Sequence, residues 1–199
     1  IMNKSIQKYI VENLHTILKL LIIYAIGIAI GIILFNLSGI KTDYVDIVRN
    51  VFDSVNQENF KSINVILNGL KNNALFIGLL YLSLITLIAP IVVCVLLMLK
   101  AIITGIYICC LFSVLGIGNG LIAVFLSVIL PLLFTLSAYI FISTNIINLY
   151  ISFTSDGKIE IKDILKNIYW LIISFSLISL SVVLEQVMTG IIFNLYKGL

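Results

Sequence analysis

Between Asn72 and Ser155 the chain carries one charged residue, Lys100, in an otherwise apolar run. A charged side chain at the centre of a bilayer costs roughly 2.5–3.5 kcal/mol on insertion scales, and one crossing takes about 20 predominantly apolar residues. The run is long enough for several transmembrane helices, and Lys100 reads as a point where the chain surfaces. On that reading one helix covers residues 73–99. It is kinked at Pro90, which lacks a backbone donor and crowds the preceding turn. The next helix starts at Ala101 and ends near Leu115, where Gly116, Gly118, Asn119 and Gly120 mark a turn. Residues 121–153 stay apolar for longer than one crossing requires, reaching about 50 Å at 1.5 Å per residue. Pro131 divides them and leaves two readings open: one long kinked helix, or two half-helices broken near Leu130 and Pro131.

Two further membrane helices flank the run. Residues 14–36 follow a polar stretch with Lys4, Lys8 and Glu12, and carry no charge from Leu20 to Phe35. Lys19 can snorkel to the interface. This apolar segment exceeds the roughly 7–15 residues of a signal-peptide core and has no convincing cleavage pattern after it, so it reads as a retained crossing. Ile1 ahead of Met2 reads as an addition, with Met2 the expected start. Gly27 and Gly31 form a small-xxx-small pair that lets another backbone approach closely. The last helix is expected over residues 168–196, contains Glu185, and follows a charged loop at 154–167.

Residues 37–72 are the one long polar connection. Tyr44, Val45, Val48, Val51, Phe52 and Val55 recur there at helical spacing, with Asp46, Arg49, Asp53 and Asn56 between them. Asp43 suits the helix start, where a carboxylate accepts a backbone N–H and complements the dipole. After a polar break that includes Glu58, the residues Phe60, Ile63, Ile66, Leu67 and Leu70 repeat the pattern. Two short amphipathic helices follow, lying on the membrane surface or packed over the bundle.

Composition agrees with a membrane protein. The chain is 61% hydrophobic and 11% charged with a mean hydropathy of +1.21, where soluble domains are about 25% charged. The expected fold is an all-α, polytopic integral membrane protein. Residues 1–199 form a single helical membrane domain with about five transmembrane helices, or six if Pro131 separates two. Orientation follows the basic residues of short loops. With the N-terminus inside, Lys4, Lys8, Lys19, Lys100, Lys158, Lys162 and Lys166 fall on the inner side. Lys41, Arg49, Lys61, Lys71 and Lys197 fall on the outer side, which makes 37–72 an extracytoplasmic segment. The net charge of +3 is too small to suggest nucleic acid. Membrane lipid is the partner implied, and a homodimer is left open.

Catalytic chemistry finds little to work with. His15 is the single histidine and reads as an interfacial anchor, so a paired metal-ligand motif is excluded. Cys94, Cys109 and Cys110 lie in apolar runs without a neighbouring His or acid and read as small membrane-helix residues. The sequence Gly116-Ile-Gly-Asn119-Gly120 lacks the preceding strand and the lysine of a nucleotide loop. No cofactor is implied. Glu185 is the one acid expected within the hydrocarbon, which makes it a candidate for an ion or proton path as well as for a structural hydrogen bond. A transporter or channel subunit would need a polar cavity near the midplane, at Pro131 with Glu185 and Asn145.

Residues 100–141 resemble the core of the stage II sporulation protein M family, membrane proteins of forespore engulfment. The residues that carry the resemblance are Lys100, Gly105, the Asn119-Gly120 pair, the Leu130-Pro131 pair about ten residues later, and Ala138-Tyr-Ile-Phe141. It extends loosely over the whole chain, to a last helix with Glu185. The family tends to place a polar pair after Leu-Pro, where this chain has Leu132 and Leu133, so no polar function is implied at that break. The resemblance implies a non-enzymatic scaffold in the septal and mother-cell membrane. It would anchor the peptidoglycan-degrading stage II sporulation proteins D and P. The outer segment is then the expected contact surface, through Tyr44, Asp46, Arg49, Phe52, Asp53, Glu58 and Phe60. The alternative is a small membrane transporter or channel subunit.

Overall fold

The computed structural model describes residues 2–37, 41–55, 62–86, 88–156 and 161–197, and every element among them is helical. The order is α1 (Met2–Glu12), α2 (Leu14–Leu37), α3 (Lys41–Val55), α4 (Ser62–Leu82), a 3-10 turn (Ser83–Ile85), α5 (Ala89–Val124), a π-helical turn (Phe125–Ile129), α6 (Leu130–Asp156) and α7 (Ile161–Lys197). Among the described residues, three stretches are long and apolar enough to cross a membrane: Leu14–Leu37, Ala89–Ser155 and Asn167–Met188. The second is far longer than a bilayer is thick. It folds back at Gly116, whose φ of 74° and ψ of 178° interrupt α5. Glycine has no Cβ to oppose that backbone conformation, and Gly116 is the one residue with positive φ among those described.

The contacts fix the direction of each helix. Gly27 of α2 lies against Met98 and Ala101 of α5, and Gly31 lies against Ile102. The two helices therefore run parallel and touch along their backbones. A Cβ added to Gly31 would collide with the Ile102 carbonyl, and one on Gly105 with the Ile28 carbonyl. Without a hydrophobic drive between helices in lipid, such close backbone packing is what holds them together. α4 runs against α7, with Gly69 near Val182 and Tyr81 bonded to Asn167. α6 also runs against α7: Ser181 bonds Pro131, and the Phe141 ring meets Trp170. Leu20, Leu80, Leu97, Tyr139, Ile142 and Ile178 form the main core where these helices meet. A smaller core of Leu111, Leu115, Ala123 and Val128 lies under Val48 of α3.

Several expectations from the sequence are corrected. The helix expected over 73–99 does not exist as one piece, because the chain breaks between Leu82 and Ala89. Hydroxyls replace the missing helical bonds there. Ser83 Oγ donates to the Leu80 carbonyl and Thr86 Oγ1 to the Ser83 carbonyl, each at 2.6 Å. Pro90 then sits in the first turn of α5, where its missing N–H has no partner to lose. It starts a helix instead of kinking one. Lys100 neither closes a helix nor marks a surface; α5 passes through it. The second amphipathic stretch is the first half of α4, with Ile66 and Leu70 packed on the main core. The turn expected at Gly116–Gly120 is made by Gly116 alone. Asn119 and Gly120 are already helical, and Gly120 abuts Phe112 of the limb it returns along. No reversal follows Gly116 as far as Asp156. The π turn absorbs Pro131, with the Leu130 N–H bonded to the Phe125 carbonyl. Of the expected contact surface, α3 carries Phe52 and Asp53, whose side chains lie outside the description. Glu58 and Phe60 lie outside the described residues.

Candidate functional site

A cavity of about 230 Å³ lies where α2, α4, α5, the π turn, α6 and α7 converge. Lys100 and Glu185 both line it, and their charges act on each other. The register of α2 on α5 gives Lys100 its depth. Met98, Ala101 and Ile102 face Gly27 and Gly31, the middle of the uncharged core of α2. Lys100 is also eleven residues beyond Ala89, roughly 16 Å along a helix that would cross about 30 Å of hydrocarbon. It therefore lies near the middle of a helical limb that is long and apolar enough to cross a membrane. Its stem is half-buried, and its ammonium sits 5.7 Å from the centre of the Phe76 ring, within cation–π range. Glu185 lines the cavity and is exposed.

The rest of the lining is rich in hydroxyls, and their protons are mostly committed. Thr104 Oγ1 donates to the Lys100 carbonyl at 3.0 Å, which leaves the Tyr24 hydroxyl, 3.2 Å from Thr104 Oγ1, as the donor of that pair. Ser127 Oγ donates to the Ala123 carbonyl at 2.8 Å, and the Tyr107 hydroxyl bonds Ser127 in turn. Thr135 Oγ1 and Ser181 Oγ both donate to the Pro131 carbonyl, at 3.1 and 2.8 Å. Tyr139 donates to Asn73 Oδ1, and Asn73 Nδ2 donates to the Gly69 carbonyl at 2.9 Å. Each hydroxyl oxygen keeps lone pairs, so the wall is rich in acceptors and Lys100 is its charged donor. The π turn contributes Ser127 and Val128 to this wall; π turns interrupt helices most often where a site is built.

A second polar cluster occupies the end of the bundle that holds α1. Tyr9 donates to Asn145 Oδ1 at 2.9 Å, and Asn148 Nδ2 donates to Asn13 Oδ1 at 2.8 Å. The Tyr9 ring stacks on Trp170 with centroids 4.1 Å apart. Burial, with Tyr81 nearby, pushes the Tyr9 phenol well above its usual range. A cavity of about 320 Å³ opens beside these amides. Among the described residues, Asn145 Nδ2 and the hydroxyls of Ser143, Thr144 and Ser174 are buried without a partner.

The structure thus joins Pro131 and Glu185 in one cavity and sends Asn145 to the other cluster. Gly27, Gly31 and Gly105 lie at the α2–α5 contact that forms one wall of the cavity. Asn119 and Gly120 are remote from it, just past the Gly116 turn. Tyr44, Asp46 and Arg49 are exposed on α3, with Arg49 and Asp46 3.9 Å apart. Sequence reasoning missed Tyr24, Asn73, Tyr107 and Tyr139 as lining residues, and it misplaced Lys100. One signal was available: a lone cation and a lone acid in separate apolar helices are best buried facing each other. Comparison with protein-family models, with curated proteins and with solved structures finds no match for this chain.

Proposed function

We propose that this chain is a non-enzymatic, multi-pass membrane scaffold of the stage II sporulation protein M kind, anchoring peptidoglycan-degrading enzymes at the septal and engulfing membrane. Five crossings are proposed: α2, α4 with the 3-10 turn, the 89–115 limb of α5, the path 117–156, and α7. The N-terminus is placed inside, and α3 and the C-terminus outside. One observation carries the reading. Lys100, Pro131, Tyr139 and Glu185, all quoted for the resemblance and spread over three helices, line one cavity, and Gly105 seats α5 on α2 beside it. Residues gathered in this way are what a family-defining core would require. The outer helix α3 supports the docking role, since Val48 packs on the bundle while Tyr44, Ile47 and Arg49 stay exposed. Deleting residues 41–55 is expected to abolish co-isolation of stage II sporulation proteins D and P while membrane insertion survives; retained association removes α3 as the docking surface.

The cavity itself favours a second reading, a small transporter or channel subunit. A mid-membrane pair of opposite charges beside open space is the usual mark of a solute or ion path. In proteoliposomes, flux that falls with Glu185→Gln supports this reading. Flux equal to protein-free vesicles removes it.

A further inference from the structure

We infer that α1 is a hinged strap that closes the asparagine-lined cavity at its end of the bundle, latched by Tyr9 and pivoting at Asn13. That cavity, of about 320 Å³, lies between two walls. Glu12 and Asn13 form one. Asn145, Asn148 and Ser152 of α6, with Asn167 of α7, form the other. Access to those amides therefore depends on where α1 sits.

The strap has a narrow grip. Of its side chains from Gln7 to Glu12, Tyr9 is buried and the others are exposed. The Tyr9 ring packs on Trp170 and meets Phe141 edge-on, with centroids 4.1 and 6.0 Å away. Its hydroxyl donates to Asn145 Oδ1. A segment with few buried contacts belongs to the low-stability end of a fold, where local opening comes before global unfolding. α2 is held differently: Leu20 lies in the main core, and Gly27 and Gly31 lie against the α5 backbone. Motion of α1 therefore ends at the junction, which is Asn13. Its N–H and its Nδ2 both donate to the Tyr9 carbonyl, at 3.1 and 3.0 Å, so the helical bond that carries α1 into α2 is shared. Its Oδ1 accepts from Asn148 on the far wall. Hinges are element-terminal residues of this kind. The closed position also carries a penalty beneath the latch. Asn145 is 5% exposed and its Nδ2 has no partner, and the hydroxyls of its neighbours Ser143 and Thr144 are buried without one as well. A buried donor without an acceptor costs the desolvation of that group, and lifting Tyr9 from Asn145 admits water to it. Ring burial favours closure and the stranded amide favours opening, both at one pair of residues.

The strap needs neither the scaffold nor the transporter reading, since it involves one helix and the cavity behind it. The test uses the full chain in detergent with two reporters of opening. Trp170, the only tryptophan, is 4% exposed and follows the latch through quenching by acrylamide. Ser152→Cys, on the far wall, follows the cavity through its rate of labelling by a water-soluble maleimide, resolved cysteine by cysteine by mass spectrometry. The native Cys110, buried in the bundle, follows global unfolding in the same sample. Tyr9→Ala is expected to raise Trp170 quenching and to speed labelling of Ser152→Cys at least about tenfold, with Cys110 unchanged. Tyr9→Phe, which keeps the ring, is expected to speed it about fivefold, the effect of losing one hydrogen bond. If Tyr9→Ala fails to fold, as read by its thermal transition, Tyr9→Phe decides. Wild-type quenching and labelling in the variants overturn the inference, because the cavity would then not answer to Tyr9. A rise matched by Cys110 overturns it too, since α1 would open only with the whole bundle. Raised quenching without faster labelling would mean that α1 lifts without uncovering the cavity, which removes the strap.

Discussion

The two polar clusters of this chain lie at different depths and handle burial in opposite ways. At the α1 end, neutral side chains from different elements bond to each other: Tyr9 to Asn145, Asn148 to Asn13 and Tyr81 to Asn167. Those bonds tie α1 to α6 and α4 to α7. Around the Lys100 cavity, the hydroxyls of Thr104, Ser127 and Thr135 bond backward to carbonyls of the preceding turn. Two opposite charges then face open space. A cluster whose side chains bond from one element to another acts as glue between helices, even with Asn145 Nδ2 left without a partner. The other cluster borders open space, with Lys100 and Glu185 in its lining.

The largest effect is expected where the α2–α5 wall of the cavity is forced apart. Gly31→Leu forces a side chain into the Ile102 carbonyl and pushes α2 off α5, separating Tyr24 from Thr104. A loss of about 3 kcal/mol is expected, at the upper end of ordinary overpacking because the obstacle is backbone. The thermal midpoint in detergent should fall accordingly; a wild-type midpoint would show that the two backbones do not touch there. A smaller effect is expected at the α1 end. Tyr9→Ala removes a buried ring and its bond to Asn145, a loss of about 2 kcal/mol, within the usual range for such a truncation. This loss should add to that of Tyr139→Phe in the double variant, since Tyr9 touches Trp170 and Asn145 and does not line the Lys100 cavity. A clearly non-additive loss would couple the clusters, and the contrast would fail. Tyr139→Phe ranks third. It leaves Asn73 Oδ1 without its donor inside the cavity wall, at a cost of about 1 kcal/mol read in the thermal midpoint. An unchanged midpoint would show that this bond does not hold α4 to α6.

Much of the fold is legible in the sequence because the bilayer writes it in plain terms. The apolar runs give α2 almost to the residue and the end of α7, which starts seven residues earlier than expected, at Ile161, inside the expected charged loop; the 3.6-residue spacing of Tyr44, Val48, Val51 and Val55 gives α3. The misreadings share one cause. A charge was expected to mark a membrane edge, so Lys100 became a boundary, and the real boundary at Ser83–Ile88 was hidden because it is free of charge. Ser83 and Thr86 close that break with their own hydroxyls, and such short local bonds leave no periodic trace. Pro90 was ambiguous for a related reason: a proline in an apolar run fits a kink or a helix start, and only the position of the break decides. The site was half legible. Pro131 and Glu185 were named together, but Asn145 was grouped with them because depth alone does not say which helix face a residue presents. Tyr24 and Tyr107 went unnoticed, and Tyr139 entered only through the resemblance, because in a membrane helix a tyrosine reads as apolar until its hydroxyl partner is known.

The smallest expected effect separates the clusters by pH. Burial holds the Tyr9 phenol above the usual value near 10 for an exposed tyrosine, so the docked state keeps its proton longer than the undocked state. The sign follows from linkage. Below about pH 10 both states are protonated and the contribution of Tyr9 to stability is fully present. As pH rises further, the undocked state releases the proton first and that contribution is progressively lost. Trp170 is the only tryptophan in the chain and stacks directly on Tyr9, so its emission reads the docking of α1. The emission should hold steady up to about pH 10 and shift above it, while Tyr9→Phe, which keeps the ring and removes the ionisable group, should flatten that shift. An identical alkaline shift in Tyr9→Phe would mean that some other group undocks α1. The closed network at that end of the bundle would then not rest on the Tyr9 hydroxyl.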